Sequence, residues 1–233
     1  MEHSAATWTE LDAAGPAVLL VPVGSCEQHG PHLPLDTDTR IACAVAHRVS
    51  EGRQDRSVAP TVAFGSSGEH QDFAGTLSIG TPALIEVLVE LGRSALPADG
   101  AGALRGVLFV NGHGGNVAAL TTACARLAAE GRRVHAWWPH ATVLGGEADA
   151  HAGRTETSLM LAIDPSSVRA ERPVGATRPI DELIEVLRDG GVAAVSPNGV
   201  LGDATGASAA EGERLLDALV ADLELAIESF AAG

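Results

Sequence analysis

The stretch Ala17 to Asp38, AVLLVPVGSCEQHGPHLPLDTD, decides the fold class. Its first seven residues, Ala17 to Val23, form an unbroken apolar run of the length of a buried strand. The twelve residues from Glu27 to Asp38 then hold two histidines and three carboxylates. That segment is too rich in Gly and Pro for a helix face. It reads as a loop leaving a strand, which is where open α/β sheets place their ligand sites. Imidazole together with carboxylate is the donor set of a hydrolytic zinc, iron or manganese site.

Working outward, the periodicity predicts a helix over Thr39–Ser50, with Ile41, Val45 and Val49 on one face. A strand follows at Ser57–Phe64. Thr81 as N-cap and Pro82 at N1 open a helix that turns Leu84, Leu88 and Leu91 inward. Further strands are expected at Leu77–Ile79, Gly106–Val110 and Val134–Trp138. Further helices are expected at Asn116–Glu130 (Val117, Leu120, Cys124 and Leu127 inward), Thr155–Ile163, Asp181–Arg188 and Ser208–Phe230 (Leu215, Leu219, Leu223 and Ile227 inward). Gly- and Ala-rich loops at Gly65–Gly68, Ala98–Ala103 and Gly199–Gly206 separate the elements. Strands alternating with helices imply an α/β fold with a mainly parallel sheet covered on both faces. No linker or repeat divides it, so residues 1–233 are expected to form a single domain.

Composition removes several classes of function. All 15 basic residues are Arg, so a catalytic Lys, a Schiff base and a Walker-type phosphate loop are excluded. There is no Tyr either, which narrows acid–base and nucleophile candidates to His, Asp, Glu, Cys, Ser, Thr and metal-bound water. A net charge of −15 argues against nucleic acid and anionic membranes as partners. No apolar stretch approaches the roughly 20 residues of a membrane helix. The polar segment Met1–Asp12 does not read as a signal peptide, and Cys26, Cys43 and Cys124, without CxxC spacing, suit a reduced cytosolic chain. Cys26 is expected to be a small inert thiol, because neighbouring strand residues point apart and Glu27 is next to it.

Three more segments carry chemistry. Asn111-Gly112-His113-Gly114-Gly115-Asn116 sits where a strand ends and a helix begins, and would place His113 over the sheet edge. His151 and Glu156 flank the start of a short helix, where the dipole favours a carboxylate. The loop Ser66–Thr76 holds the pair Glu69-His70, read either as a pocket wall or as a solvated loop.

Taken in order, Glu27-x-His29, Asp38, the Asn111–Asn116 segment and the pair His151/Glu156 resemble the creatininase superfamily. Within it, VPVGSCEQHGPHLPLDTDTRIA and GEHQDFAGTLSIGT look most like the branch that trims a modified peptide in the mycofactocin system. The resemblance implies a metal-dependent amide or peptide hydrolase with two divalent ions, Fe2+ or Zn2+ or else Mn2+. Glu27, Asp38 and His113 would hold one ion and His29, Asp38 and Glu156 the other, with Asp38 bridging. His151 matches the family's catalytic histidine. Substrate contacts are expected from His32, Glu69, His70, Gly114 and Gly115, and a peptide substrate and a cytoplasmic homo-oligomer are implied.

One position departs from the family pattern. Creatininase proper carries Tyr-Glu where this chain has Gly114-Gly115, and that Glu is a metal ligand there. Glu156 is the expected substitute, and the two glycines are expected to open room for a peptide above the metals. A small-molecule amidohydrolase of the same superfamily and a non-catalytic metal-binding scaffold are the competing readings.

Overall fold

The computed structural model describes residues 2–15, 17–98, 102–140, 142–144 and 149–232. The expected loop at 98–103 lies partly outside the described residues. Ala17–Val23 forms β1, buried along its whole length. β1 pairs with β2 (Arg56–Val58) on one side and with β3 (Leu104–Asn111) on the other, and β4 (Val134–Trp137) completes the order β2-β1-β3-β4. Every pairing is parallel, as the alternation of strands and helices implies. Pro22 is tolerated in this inner strand because β2 pairs only with Val18–Leu20. The Pro22 carbonyl accepts from Val62 N at 2.9 Å, so the missing N–H faces the side where β2 has already ended.

The period-2 alternation of β1 and β3 divides the interior into two cores. Val18, Leu20, Leu108 and Val110 pack with α2 (Thr37–Ser50), α5 (Arg154–Ile163) and α7 (Ala209–Ala232), through Ile41, Val45, Met160, Leu216, Leu219 and Leu223. Leu19, Val21, Val23, Val107 and Phe109 face α3 (Gly80–Ala95) and α4 (Val117–Ala129), through Leu84, Leu88, Leu120 and Leu127. α1 (Trp8–Ala14) opens with a capping box from Thr7 and Glu10, and α6 (Ile180–Val195) follows α5. Among the described residues, no helix is long and apolar enough to cross a membrane.

Several boundaries differ from the sequence-based expectation. The second strand stops at Val58, with an isolated bridge from Val62 to Val23, because Pro60 interrupts the ladder. α3 begins at Gly80, ahead of Thr81: Ser78 Oγ accepts from Gly80 N at 3.2 Å, while Thr81 Oγ1 bonds Ser66 Oγ at 2.7 Å. Leu77–Ile79 is a loop held by Leu77 N to Cys26 O (2.8 Å) and Ile79 N to Gly65 O (3.0 Å), and no strand forms there. α6 runs on to Val195, across a kink at Gly191.

The inward faces also shift. In α3, Leu127 of α4 fills the space a side chain at Gly92 would take, so the Leu84–Leu88–Gly92 line turns inward and Leu91 is 40% exposed. Val117 and Cys124 of α4 are only half-buried beside Ala119 and Ala123, and in α7 Leu216 takes the buried place expected of Leu215. Replacing Leu88 by Ala should destabilise the protein by about 2–5 kcal/mol. The same change at Leu91 should cost about 1 kcal/mol or less. Urea unfolding of the two variants checks the assignment, and equal losses would contradict it.

Candidate metal centre

The chain leaves β1 for β2 on one side and returns to β3 on the other, so a topological switch point opens between β1 and β3. Val23 and Asn111 are register partners at their ends. Glu27 and His29 therefore leave β1 beside the point where His113 leaves β3. A Cβ on Gly24 would overlap the backbone of Thr39, and one on Gly112 would overlap the Asp38 carbonyl. Two glycines thus let the first turn of α2 sit directly on the strand ends and deliver Asp38. Glu156 comes from the first turn of α5 and accepts from Ala152 N at 2.5 Å. Ala152 is buried at φ 53, a strained conformation for a residue with a Cβ, and it turns the chain between His151 and Glu156.

The five side chains meet as two triads that share Asp38. In Glu27–Asp38–His113 and in His29–Asp38–Glu156, one ligand atom from each residue lies within 4.8 Å of the others. Asp38 Oδ1 stands 3.1 Å from His29 Nε2, and Asp38 Oδ2 stands 3.3 Å from His113 Nδ1, one oxygen to each triad. His113 Nδ1 is also 3.2 Å from Glu27 Oε1, and His29 Nε2 is 3.8 Å from Glu156 Oε2. A third grouping, Glu27–His29–His151, meets the same distance criterion.

Backbone carbonyls set the orientation of all three rings. His29 Nδ1 donates to Glu27 O (3.2 Å), His113 Nε2 to Ser66 O (3.2 Å) and His151 Nε2 to Gln28 O (2.8 Å). A carbonyl only accepts, so the far nitrogen of each ring carries the hydrogen and the near nitrogen turns to the carboxylates.

Burial opposes charge on His29, yet Asp38, Glu156 and Glu27 outweigh it and push its imidazole up to about 10. His113 is raised in the same way against its burial, chiefly by Glu27 and Asp38. Burial would raise Asp38, but His29 and His113 hold it well below the usual carboxylate range. Glu156 is pushed up to about 7 by burial. His151 is driven well below its ordinary value by burial, then by His29 and His70.

The donor set fits divalent cations. Both Glu27 oxygens and Asp38 Oδ2 are buried without a hydrogen-bond partner, even though imidazole nitrogens stand close by. Unpartnered buried carboxylate oxygens are costly unless a cation meets them. Three carboxylates offset most of the charge of two such ions, and two neutral imidazoles complete the donor set.

Above the triads lies a cavity of about 910 Å3. Asp38, His113, His151 and Glu156 form part of its floor, with Glu69, His70, Gly114 and Gly115 also on its wall. His32 does not line it. Its ring is fully buried, bonded through Nε2 to Thr157 Oγ1 at 2.8 Å, and lowered to about 4 by burial and then by the Arg172 charge. The expected opening at the two glycines divides. A Cβ on Gly114 meets nothing within 4 Å, whereas one on Gly115 would overlap His113 Nε2 and Ser66 O and come within 2.6 Å of Glu69 Oε1. Room exists at Gly114 and not at Gly115.

Two groups of site residues carry no signal in the sequence. Gln28, buried between two proposed ligands, places Nε2 at 2.9 Å from His70 Nδ1 and 3.0 Å from Gly199 O. The far wall of the cavity is Ile180, Ile184 and Leu187 of α6. Cys26 stays peripheral: its thiol faces Gly75 O at 3.8 Å and burial raises it.

A parallel α/β sheet with a shared-carboxylate donor cluster at its switch point defines a metallohydrolase type of architecture. The family profile described as Creatininase: Creatinine amidohydrolase matches residues 4–227, and the chain belongs to the creatininase family. The mycofactocin precursor peptide peptidase of Mycobacterium tuberculosis (strain CDC 1551 / Oshkosh) is 52% identical over 95% of this chain and 88% of its own length. The protein of the same description from Mycolicibacterium smegmatis (strain ATCC 700084 / mc(2)155) is 55% identical over 87% of this chain and 81% of its own. Among solved structures, a manganese form of creatininase is 26% identical, with a TM-score of 0.74 and 98% of both chains covered. A zinc–zinc type creatininase variant is 28% identical, with a TM-score of 0.75, covering 98% of this chain and 97% of that one.

Asp38→Ala should abolish uptake at both sites, measured as metal equivalents by elemental analysis; full retention would refute the shared oxygen pair. Metal affinity should also depend on pH. A ligating imidazole must be neutral, and His29 is pushed up to about 10 while His113 is raised as well, so each ion bound near neutrality displaces a proton from the imidazole of its triad. Affinity should therefore fall as pH is lowered and rise towards pH 10, and calorimetry in buffers of different ionisation enthalpy would read the released protons.

Proposed function

We propose that this chain is a metal-dependent peptidase that hydrolyses the modified mycofactocin precursor peptide near its C-terminus and releases the Val-Tyr-derived core. The observation that carries this reading is the shared-Asp38 cluster at the floor of a cavity of about 910 Å3, larger than a small cyclic amide requires. The identity of the curated relatives supplies the substrate class. Glu27, Asp38 and His113 would hold one ion and His29, Asp38 and Glu156 the other, of Fe2+, Zn2+ or Mn2+. Bound divalent ions supply Lewis acidity and lower the pKa of water towards neutrality.

The chain's own residues do the remaining work. His151 Nε2 is committed to the Gln28 carbonyl, so its Nδ1, 3.7 Å from Glu27 Oε1, is the atom free to take and pass a proton. Its burial beside His29 and His70 disfavours the imidazolium, which suits delivery of a proton to the leaving nitrogen. Ile180, Ile184 and Leu187 offer an apolar wall to the peptide, and Gly114 leaves its passage clear. In this reading residues 1–233 work as one domain in a cytoplasmic homo-oligomer, and a net charge of −15 argues against nucleic acid and anionic membranes as partners.

Incubating metal-loaded protein with the modified precursor and identifying the released fragment by mass spectrometry tests the proposal. Turnover of creatinine or a formamide, with no peptide cleavage at any metal loading, would move the activity to a small-molecule amidohydrolase. His151→Ala should retain its metal and lose about 10²–10⁴-fold in kcat. Loss of metal by that variant would reassign His151 as a ligand, an outcome its proximity to Glu27 and His29 makes testable.

A further inference from the structure

Glu69 belongs to a short 3-10 turn, Gly68–His70, well away in sequence from the metal triads. Its carboxylate nevertheless reaches the ring of His113, with Oε1 3.4 Å from Nε2. That nitrogen is on the far side of the ring from Nδ1, which faces Glu27 and Asp38. The Nε2 hydrogen goes to the Ser66 carbonyl at 3.2 Å, and the Glu69 carboxylate stands beside the same nitrogen at 3.4 Å. A side chain at Gly115 would run into His113 Nε2 and Ser66 O and come within 2.6 Å of Glu69 Oε1, so the bare backbone there lets all three meet. The backbone beneath it is fixed: His70 N bonds Ser67 O at 3.1 Å, and Gly191, at the kink of α6, lies against the Glu69 carbonyl.

We propose that Glu69 is a positioning residue for His113: its carboxylate stands on the Nε2 side of the ring, against the bare backbone of Gly115, so that the glycine there serves Glu69 and not the substrate. This rests on the reading of Glu27, Asp38 and His113 as a metal site. A carboxylate on the outer nitrogen fixes the ring and raises the basicity of the inner one, and loss of such a partner typically weakens metal binding about 10–100-fold. Glu69 itself joins none of the three donor groupings, so it acts through His113 and not as a ligand.

The experiment titrates the metal-free protein with Co2+ alone, following calorimetry and the d–d absorption bands, for wild type, Glu69→Gln and Glu69→Ala. The carboxamide keeps the volume of the side chain, and circular dichroism verifies the fold. Weakening of one of two binding events by about 10–100-fold, with an altered spectrum and partial recovery of Glu69→Ala on adding formate, is the expected result. On the peptide, kcat should fall with KM little changed. Wild-type affinity and spectrum in Glu69→Gln would overturn the proposal, and an effect confined to KM would make Glu69 a substrate contact. A wild-type chain that takes up no cobalt would overturn the metal reading itself, and the positioning role with it. Gly115→Ala should weaken cobalt binding in the same way, because its Cβ displaces His113 Nε2 and Glu69, whereas Gly114→Ala should leave the affinity for the ion intact.

Discussion

Three carboxylates, from Glu27, Asp38 and Glu156, converge above the ends of β1 and β3, in a place largely closed to water. Like charges in such surroundings repel far more strongly than in solvent, and they persist only if positive charge is brought among them. The protein answers with two imidazoles pressed against the carboxylates, and their basicity rises accordingly. A site tuned in this way holds protons and divalent cations in competition. The surrounding structure can be understood as whatever keeps these groups from relaxing apart.

That restraint is mostly backbone. Each of the three central histidine rings is tethered by its outer nitrogen to a main-chain carbonyl, at Glu27, Ser66 and Gln28. Asn116 links Gly24 O (3.0 Å), Asn111 Oδ1 (3.1 Å) and Ser66 N (2.9 Å), so the end of β1, the end of β3 and the loop that carries Glu69 are held by one buried amide. Asn111 Nδ2 in turn donates to His113 O at 2.7 Å. These contacts explain why the segment Asn111–Asn116 is so short and polar. It is a clamp as well as the source of a proposed ligand. Asp38 in turn arrives on a helix whose first turn rests on Gly24 and Gly112, beside the strand ends that this clamp holds.

Much of this was legible before any coordinates. Continuous apolar residues in Ala17–Val23 and Gly106–Val110 read as buried strands, and the sheet is parallel as the alternation of strands and helices implies. Glu27, His29 and Asp38 were visible because Glu, His and Asp at such density, beside Gly and Pro, have few other uses, whereas His113 and Glu156 joined them only through the family resemblance. What failed to read correctly was the local balance of contacts. Leu91 has the right period for the core of α3, but Leu127 enters at Gly92 and turns the face away from it. His32, expected to touch substrate, has its ring closed against Thr157 Oγ1 and away from the cavity lining.

By itself the sequence determined the fold class, the strand edge that bears the site and the set of residues whose chemistry suits a divalent metal. The first two follow from periodicity and composition, which are properties of neighbouring residues along the chain; the donor set is what the resemblance of its ordered motifs to a known family implies. Only the tertiary structure decided which atoms meet. It gave Asp38 one oxygen for each triad, tied Gln28 to His70, and set Glu69 against the bare backbone of Gly115. Those contacts join residues 42, 46 or more positions apart in some cases and only nine in others. No local pattern encodes them, because they depend on which loops the sheet brings to one edge and on where a missing Cβ lets another chain segment in.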